Sequence, residues 1–238
     1  MLPPRDRLIF ALDVPNRAEA ERYIRMLKEE VGLFKVGLEL FVAEGPPFLQ
    51  FLAESYGIDY FLDLKLHDIP PTVNRALARI FKGARLATVH VDSGRETLQA
   101  APSGVKLLGV TVLTHLGPDD LEAMGLKSEY AQNLTKLVLL RAKLAQAAGC
   151  DGVVCAGTEA KAVKDAFGPD FLVVCPGIRP AWAVVPGDEQ RRITTPYAAI
   201  RAGADYIVVG RPISQAGDPA AAARRVVQEI GEGLKARE

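Results

Sequence analysis

Asp63-Leu64-Lys65-Leu66-His67-Asp68-Ile69-Pro70-Pro71-Thr72 follows the apolar run Tyr60-Phe61-Leu62. Side chains of an extended strand alternate between faces. Asp63 and Lys65 therefore share one side, and Leu62, Leu64 and Leu66 take the other, where a packed helix would cover them. A third charge, Asp68, stands where the strand should end. The double proline cannot continue a ladder, but Pro71 suits the first turn of a helix. Val73, Leu77, Ile80 and Phe81 give the stretch from about Pro71 to Lys82 an inner apolar face. An Asp-x-Lys-x-x-Asp set thus sits at the carboxyl end of a strand just before a helix, where α/β sheets keep their active sites. Taken alone, such a pair reads equally well as an ordinary salt bridge. The rest of the chain has to decide.

Outward from this stretch, strand-like and helix-like runs alternate. Leu8–Leu12 is an apolar strand ending at Asp13, and Asn16 caps a helix from Arg17 to Glu30. Further strands are expected at Leu33–Gly37, where Lys35 lies among apolar neighbours, and at Ala87–Val91, Leu107–Leu113, Gly152–Cys155, Phe171–Cys175 and Tyr206–Val209. Helical stretches separate them, among them Phe48–Ser55, Gln132–Ala148 and Glu159–Phe167. Runs such as Ile207-Val208-Val209 suit parallel strands buried on both faces. Eight such strands in a chain of 238 residues, with no Pro/Gly-rich linker, predict one α/β domain over residues 1–238, a (β/α)8 TIM barrel. A doubly wound open sheet is the structural alternative.

Composition narrows the function classes. Lys plus Arg and Asp plus Glu both total 29, so there is no basic excess that would favour nucleic acid and no acidic tail. No apolar run approaches membrane-spanning length, and the Met1–Arg7 start lacks the apolar core of a secretion signal. Cys150, Cys155 and Cys175 cannot all pair and form no Cys-x-x-Cys, which reads as buried thiols in a reducing compartment. The expectation is a soluble cytoplasmic protein without membrane or nucleic-acid partners. His67, His90 and His115 lack metal-ligand spacing, and neither a Gly-x-Gly-x-x-Gly nor a Walker loop follows a strand.

In a barrel the strand ends converge on one mouth. That mouth is expected to gather Asp13, Lys35, Asp63, Lys65, Asp68, Thr114, Arg179 and Arg211. Val209-Gly210-Arg211-Pro212 closes the last strand with a glycine, which admits close backbone approach, and a planar cation suited to phosphate. The long loop 176–194 carries three prolines, two glycines and a polar tip, Asp188-Glu189-Gln190-Arg191-Arg192. It reads as a lid, with Gln190 or Arg191 reaching in.

With these residues assembled, the chain resembles the orotidine 5′-phosphate decarboxylases, whose reaction completes de novo UMP synthesis. The likeness runs from Ala11-Leu12-Asp13 to Val209-Gly210-Arg211-Pro212. It is most specific at Asp63–Pro70 with Thr72, at Val110-Thr111-Val112-Leu113-Thr114, and at Pro176-Gly177-Ile178-Arg179-Pro180 followed by Gly187-Asp188 and Gln190-Arg191-Arg192. The resemblance implies a barrel homodimer that converts orotidine 5′-phosphate to UMP without metal or organic cofactor. It makes Lys65 the proton donor to C6, within a charged network of Lys35, Asp63, Lys65 and the partner's Asp68. Ile69 and Thr72 would enter the partner's site together with Asp68. Asp13 and Lys35 would hold the ribose hydroxyls, Thr114 would line the site, and Gln190 would bridge pyrimidine and phosphate. Arg179, Gly210 and Arg211 would serve the phosphate end.

The chemistry suits these residue types. Loss of CO2 from C6 leaves a carbanion in the ring plane, where the π system delocalises it poorly, and a fixed ammonium stabilises and then protonates it. Asp63 beside the substrate carboxylate would repel it in the ground state. Asp92 departs from the family pattern of a small residue, Pro71 replaces a frequent asparagine, and Cys175 is not expected to be catalytic. Two alternatives stay open. One is a Mg2+-dependent sugar-phosphate decarboxylase or aldolase of the same barrel group, which needs a further acidic ligand where Lys35 stands. The other is a catalytically idle phosphate-binding barrel, against which stands the cost of burying charges without use.

Overall fold

The computed structural model describes residues 2–99, 104–183 and 192–237. Its eight strands are β1 (Leu8–Ala11), β2 (Leu33–Val36), β3 (Tyr60–Leu66), β4 (Ala84–His90), β5 (Lys106–Val110), β6 (Gly152–Val154), β7 (Leu172–Cys175) and β8 (Tyr206–Val209). They pair in parallel in chain order, and β8 returns to β1 to close the ring. The doubly wound alternative is thereby excluded and the (β/α)8 barrel holds.

The helices are α1 (Arg17–Leu27), α2 (Leu38–Ser55), α3 (Pro70–Leu77), α4 (Arg95–Leu98), α5 (Pro118–Ala123) and α6 (Ser128–Ala131). After these come α7 (Leu134–Ala148), α8 (Ala160–Phe167), α9 (Pro196–Arg201), α10 (Arg211–Ser214) and α11 (Pro219–Lys235). Side chains satisfy the orphan amides at several helix starts: Asn16, Asn133, Thr195 and Asp218 accept from the third residue beyond.

Two apolar layers result. Inside the barrel, Ile9, Leu33, Phe61, Leu86, Leu108, Val110, Val154, Val174 and Val208 fill the bore. The alternate residues of the same strands pack outward against the helices, with Phe10, Phe34, Tyr60 and Val209 among them. Every residue of β1 and β2 is buried, which explains their near-continuous apolar sequence. At the N-terminal rim, aspartates extend the ladder: Asp151 accepts from Leu107 N–H and Asp205 from Val173 N–H, both at 2.8 Å.

Element boundaries shift from expectation where local signals compete. The helix expected over 71–82 starts at Pro70 and stops at Leu77, although Ile80 and Phe81 still pack on the core. The stretch read as helical only from Phe48 begins at Leu38 and bends at Gly45 (φ 64°), ahead of Pro46 and Pro47. The strand expected to reach Leu113 ends at Val110. The single turn α10 was not expected at all.

Gly152 sets the β6–β7 spacing, because a Cβ there would lie 2.2 Å from Leu172 O. Gly152→Ala should therefore cost about 1–3 kcal/mol as an overpacking change. Urea titration reads this directly, and an unchanged midpoint would show that the two strands move apart freely.

Candidate active site

The charged residues are the uppermost layer of the bore. Ile9 and Ala11 lead inward to Asp13, Leu33 leads to Lys35, and Phe61 leads to Asp63, each two residues on, as strand alternation requires. Lys35 Nζ lies 2.8 Å from Asp13 Oδ1 and 3.8 Å from Asp63 Oδ2, and Lys65 Nζ lies 2.9 Å from the same Asp63 oxygen. The order Asp13–Lys35–Asp63–Lys65 alternates in sign. Lys35 and Asp63 are buried, whereas Asp13 and Lys65 lie nearer solvent. A charge over an apolar bore is tolerated only when paired, and each interior member here touches opposite charge.

Thr88 completes the set. It is buried on β4, donates from Oγ1 to Asp63 Oδ1 at 3.0 Å, and accepts from Lys65 N–H at 2.9 Å. That second bond holds an unusual backbone: Lys65 has φ 49°, and among the described residues it is the only non-glycine with positive φ. The β3–β4 register explains this. From Leu62 to Leu66, β3 advances four residues while β4 advances two, from Ala87 to Val89. The extra length bulges out at the lysine. Asp63 and Lys65 do share a side, as alternation predicts, but a bulge rather than a regular strand carries the lysine.

The network opens into a cavity of about 310 Å³, within the range of small-ligand sites. Across it stand Thr114 after β5, Arg179 after β7, and Gly210 and Arg211 after β8. Gly210 approaches β1 closely, its missing Cβ falling 3.4 Å from Ala11 Cβ. Carboxylates and ammoniums thus face two guanidiniums across one small space, an arrangement that can hold a polyanionic ligand at one end and react at the other.

Asp68, Ile69 and Thr72 do not line this cavity. Asp68 and Ile69 are exposed, and the Asp68 carboxylate accepts from Ile69 N–H. Gln190 lies outside the described residues, as do Gly187, Asp188 and Arg191. Arg192, expected in a polar tip, is instead folded inward beside Glu159. The loop base is closed by a bridge between Ile178 and Thr194, with Arg179 N–H bonded to Thr194 O at 2.9 Å.

Sequence reasoning missed Thr88, which looks like any β-branched strand residue, and it left Asp92 unexplained. Asp92 pairs with the buried Arg141 at 2.7 Å, and His90 Nδ1 stands 3.3 Å away, off hydrogen-bond geometry. Burial pushes the Asp92 carboxyl up, but His90 and the Arg141 guanidinium outweigh it and hold the group below its ordinary range. His67 stacks on His90. Among the described residues, no group of three or more His, Cys, Asp or Glu is placed to hold a metal ion. No helix among them is long and apolar enough to cross a membrane.

Fold and site together define a class: a (β/α)8 barrel bearing its chemistry on the C-terminal mouth. The particular family follows from comparison. Residues 6–226 match the model of the orotidine 5′-phosphate decarboxylase / HUMPS family, and the chain belongs to that family. The orotidine 5′-phosphate decarboxylase of Desulfosudis oleivorans is 48% identical over 98% of this chain and 96% of its own length. That of a Methylobacterium strain is 49% identical over 97% of this chain and 98% of its own. Among solved structures, the enzyme of Lactobacillus acidophilus superposes with a TM-score of 0.76 at 36% identity, covering 94% of this chain and 98% of that one.

Thr88→Val keeps the side-chain volume but removes both hydrogen bonds at the charged layer. It should lower stability by about 1–3 kcal/mol, since Asp63 and Lys65 N–H each lose a buried partner. Denaturant unfolding measures this, and no loss would mean that other groups replace both bonds.

Proposed function

We propose that this chain is an orotidine 5′-phosphate decarboxylase of pyrimidine biosynthesis, and that it works without a metal ion, with Lys65 protonating C6. The observation that carries the reading is the alternating chain Asp13–Lys35–Asp63–Lys65 at the cavity floor, opposite Arg179 and Arg211. The full-length likeness to proteins of that name supports it.

The arginine side suits the phosphate: Arg211 offers a planar fork, and Gly210 lets the ligand approach the backbone. Asp13 and Lys35, hydrogen-bonded to one another, suit the ribose hydroxyls. The pyrimidine then reaches Asp63 and Lys65. The C6–carboxylate bond breaks, CO2 leaves, and the electron pair stays on C6. The Lys65 ammonium stabilises that charge as it develops and donates its proton to form the C6–H bond of UMP. The neutral amine regains a proton from solvent. Asp63 holds the ammonium in place, and its repulsion of the substrate carboxylate ends when CO2 departs. Phosphate binding remote from the reacting carbon supplies energy for closure over the ring. The loop 176–194, its base stapled beside the cavity, is suited to act as the lid.

Mg2+ chemistry of the sugar-phosphate decarboxylase or aldolase kind fits this donor set poorly. Asp63 Oδ2 already meets two ammoniums, Oδ1 is bonded to Thr88, and a divalent cation there would be repelled by Lys35 and Lys65.

The reading includes a homodimer in which Asp68, Ile69 and Thr72 complete the partner's site. Their position on the rim outside their own cavity supports it. So does the exposure of Leu38, Val42 and Ile69, which follow the C-terminal ends of the adjacent strands β2 and β3.

Purified protein with EDTA present should remove orotidine 5′-phosphate absorbance and yield UMP, and Lys65→Ala should abolish this while still binding UMP. Turnover that requires added Mg2+, or substantial activity in Lys65→Ala, would defeat the corresponding part of the mechanism. Mixing inactive Lys65→Ala with inactive Asp68→Ala protein should restore up to about a quarter of wild-type activity, because random pairing leaves half the dimers hybrid with one intact site each. No recovery after verified subunit exchange would rule out a shared site.

A further inference from the structure

The cavity wall opposite the charged layer includes Val112, Leu113 and Thr114, which follow β5 after its regular strand has ended. Three successive carbonyls of this segment are each taken by a guanidinium. Arg141 Nη1 donates to Thr111 O at 2.6 Å, and Arg192 Nη2 donates to Val112 O at 2.8 Å and to Leu113 O at 3.0 Å. Both side chains are about nine-tenths buried (9% and 10% exposed). Each is paired with a carboxylate outside the cavity: Arg141 of α7 with Asp92, and Arg192 with Glu159 at 3.0 Å, just before α8. The four residues come from four separate places in the chain and converge on one short piece of backbone.

Fold stability alone gives a weak reason for the Arg192–Glu159 pair. Burying an ion pair costs desolvation that only full hydrogen bonding repays, and here Arg192 Nε and Glu159 Oε2 are buried with no partner among the described residues. What the pair does achieve is directional. One Arg192 nitrogen spans the two carbonyls immediately before Thr114, and another is held by Glu159. A lysine, with its compact ammonium, cannot reproduce that planar fork.

We infer that Arg192, held by Glu159, is a positioning residue for the reaction: by fixing the Val112 and Leu113 carbonyls it sets Thr114 against the bound substrate, while Arg141 with Asp92 fixes Thr111 beside it. The inference rests on the decarboxylase reading above. It also gives Asp92 a purpose, as the counter-ion of the second arginine.

The test is a mutant cycle on the wild-type enzyme. Steady-state kinetics with orotidine 5′-phosphate are measured for Arg192→Met, Arg192→Lys, Thr114→Ala and the two doubles, each shown folded by circular dichroism. Arg192→Met should lower kcat/KM about 10-fold or more in the wild-type background and less than about 3-fold once Thr114 is alanine, with Arg192→Lys intermediate. Equal losses in both backgrounds would mean a general structural role and overturn the inference. If Arg192→Met does not fold, Arg192→Lys and Glu159→Gln are carried through the same cycle under the same criterion. A folded wild-type protein without turnover overturns the decarboxylase reading itself, a result distinct from an active enzyme with additive losses.

Discussion

Asp63 is the residue on which the arrangement turns. One of its oxygens meets the ammoniums of Lys35 and Lys65, and the other meets Thr88. Below it, the bore is lined by side chains such as Phe61, Leu86, Leu108 and Val174, which offer the charges no compensation from that side. Opposite unit charges 4 Å apart attract by about 4 kcal/mol at an effective dielectric of about 20, against about 1 kcal/mol in water. The alternating order converts a costly burial into mutual support. Without Asp63, the two ammoniums would face each other with no carboxylate between them, Lys35 held by Asp13 alone and Lys65 without the carboxylate 2.9 Å away.

The same constraint divides the barrel's circumference. Strands β1 to β4 supply or lead directly to the alternating charges and the threonine that fixes them, with Lys35, Asp63 and Thr88 buried and Asp13 and Lys65 nearer solvent. Strands β5 to β8 supply an apolar inner wall, then a rim of arginines and exposed backbone. On the first half, side chains of the strands themselves do the positioning. On the second half, the wall beyond β5 is irregular, and guanidiniums from α7 and from the residues before α9 hold it from behind. A parallel barrel accommodates both arrangements because its ladder ends before the loops begin, leaving each loop to find its own support.

Much of this was legible in the chain. The period-two alternation of β1, β2 and β3 put Asp13, Lys35 and Asp63 at strand ends, and the regular spacing of apolar runs gave the closed ring. Arg179 and Arg211 follow strands seven and eight, where such barrels gather anions. What could not be read was anything settled by distant neighbours. Thr88 is one β-branched residue in a strand, and its importance depends on a carboxylate 25 residues earlier. Asp92 looked like an unexplained departure because its partner, Arg141, lies 49 residues on. Arg192 closed a polar run that read as the tip of a lid, and only the tertiary fold turns it against Glu159 and the Val112 carbonyl. The bulge at Lys65 had no local signature either, since nothing about the residue favours a left-handed backbone.

A side chain in the left-handed region costs about 1–2 kcal/mol, which glycine does not incur. By backbone preference alone, residue 65 would be glycine, yet that exchange would strip the buried Asp63 of the ammonium 2.9 Å away. The backbone at 65 therefore carries a conformational cost that is set against the lysine's ion pair with Asp63, so the sequence there trades local ease for a paired charge above the bore.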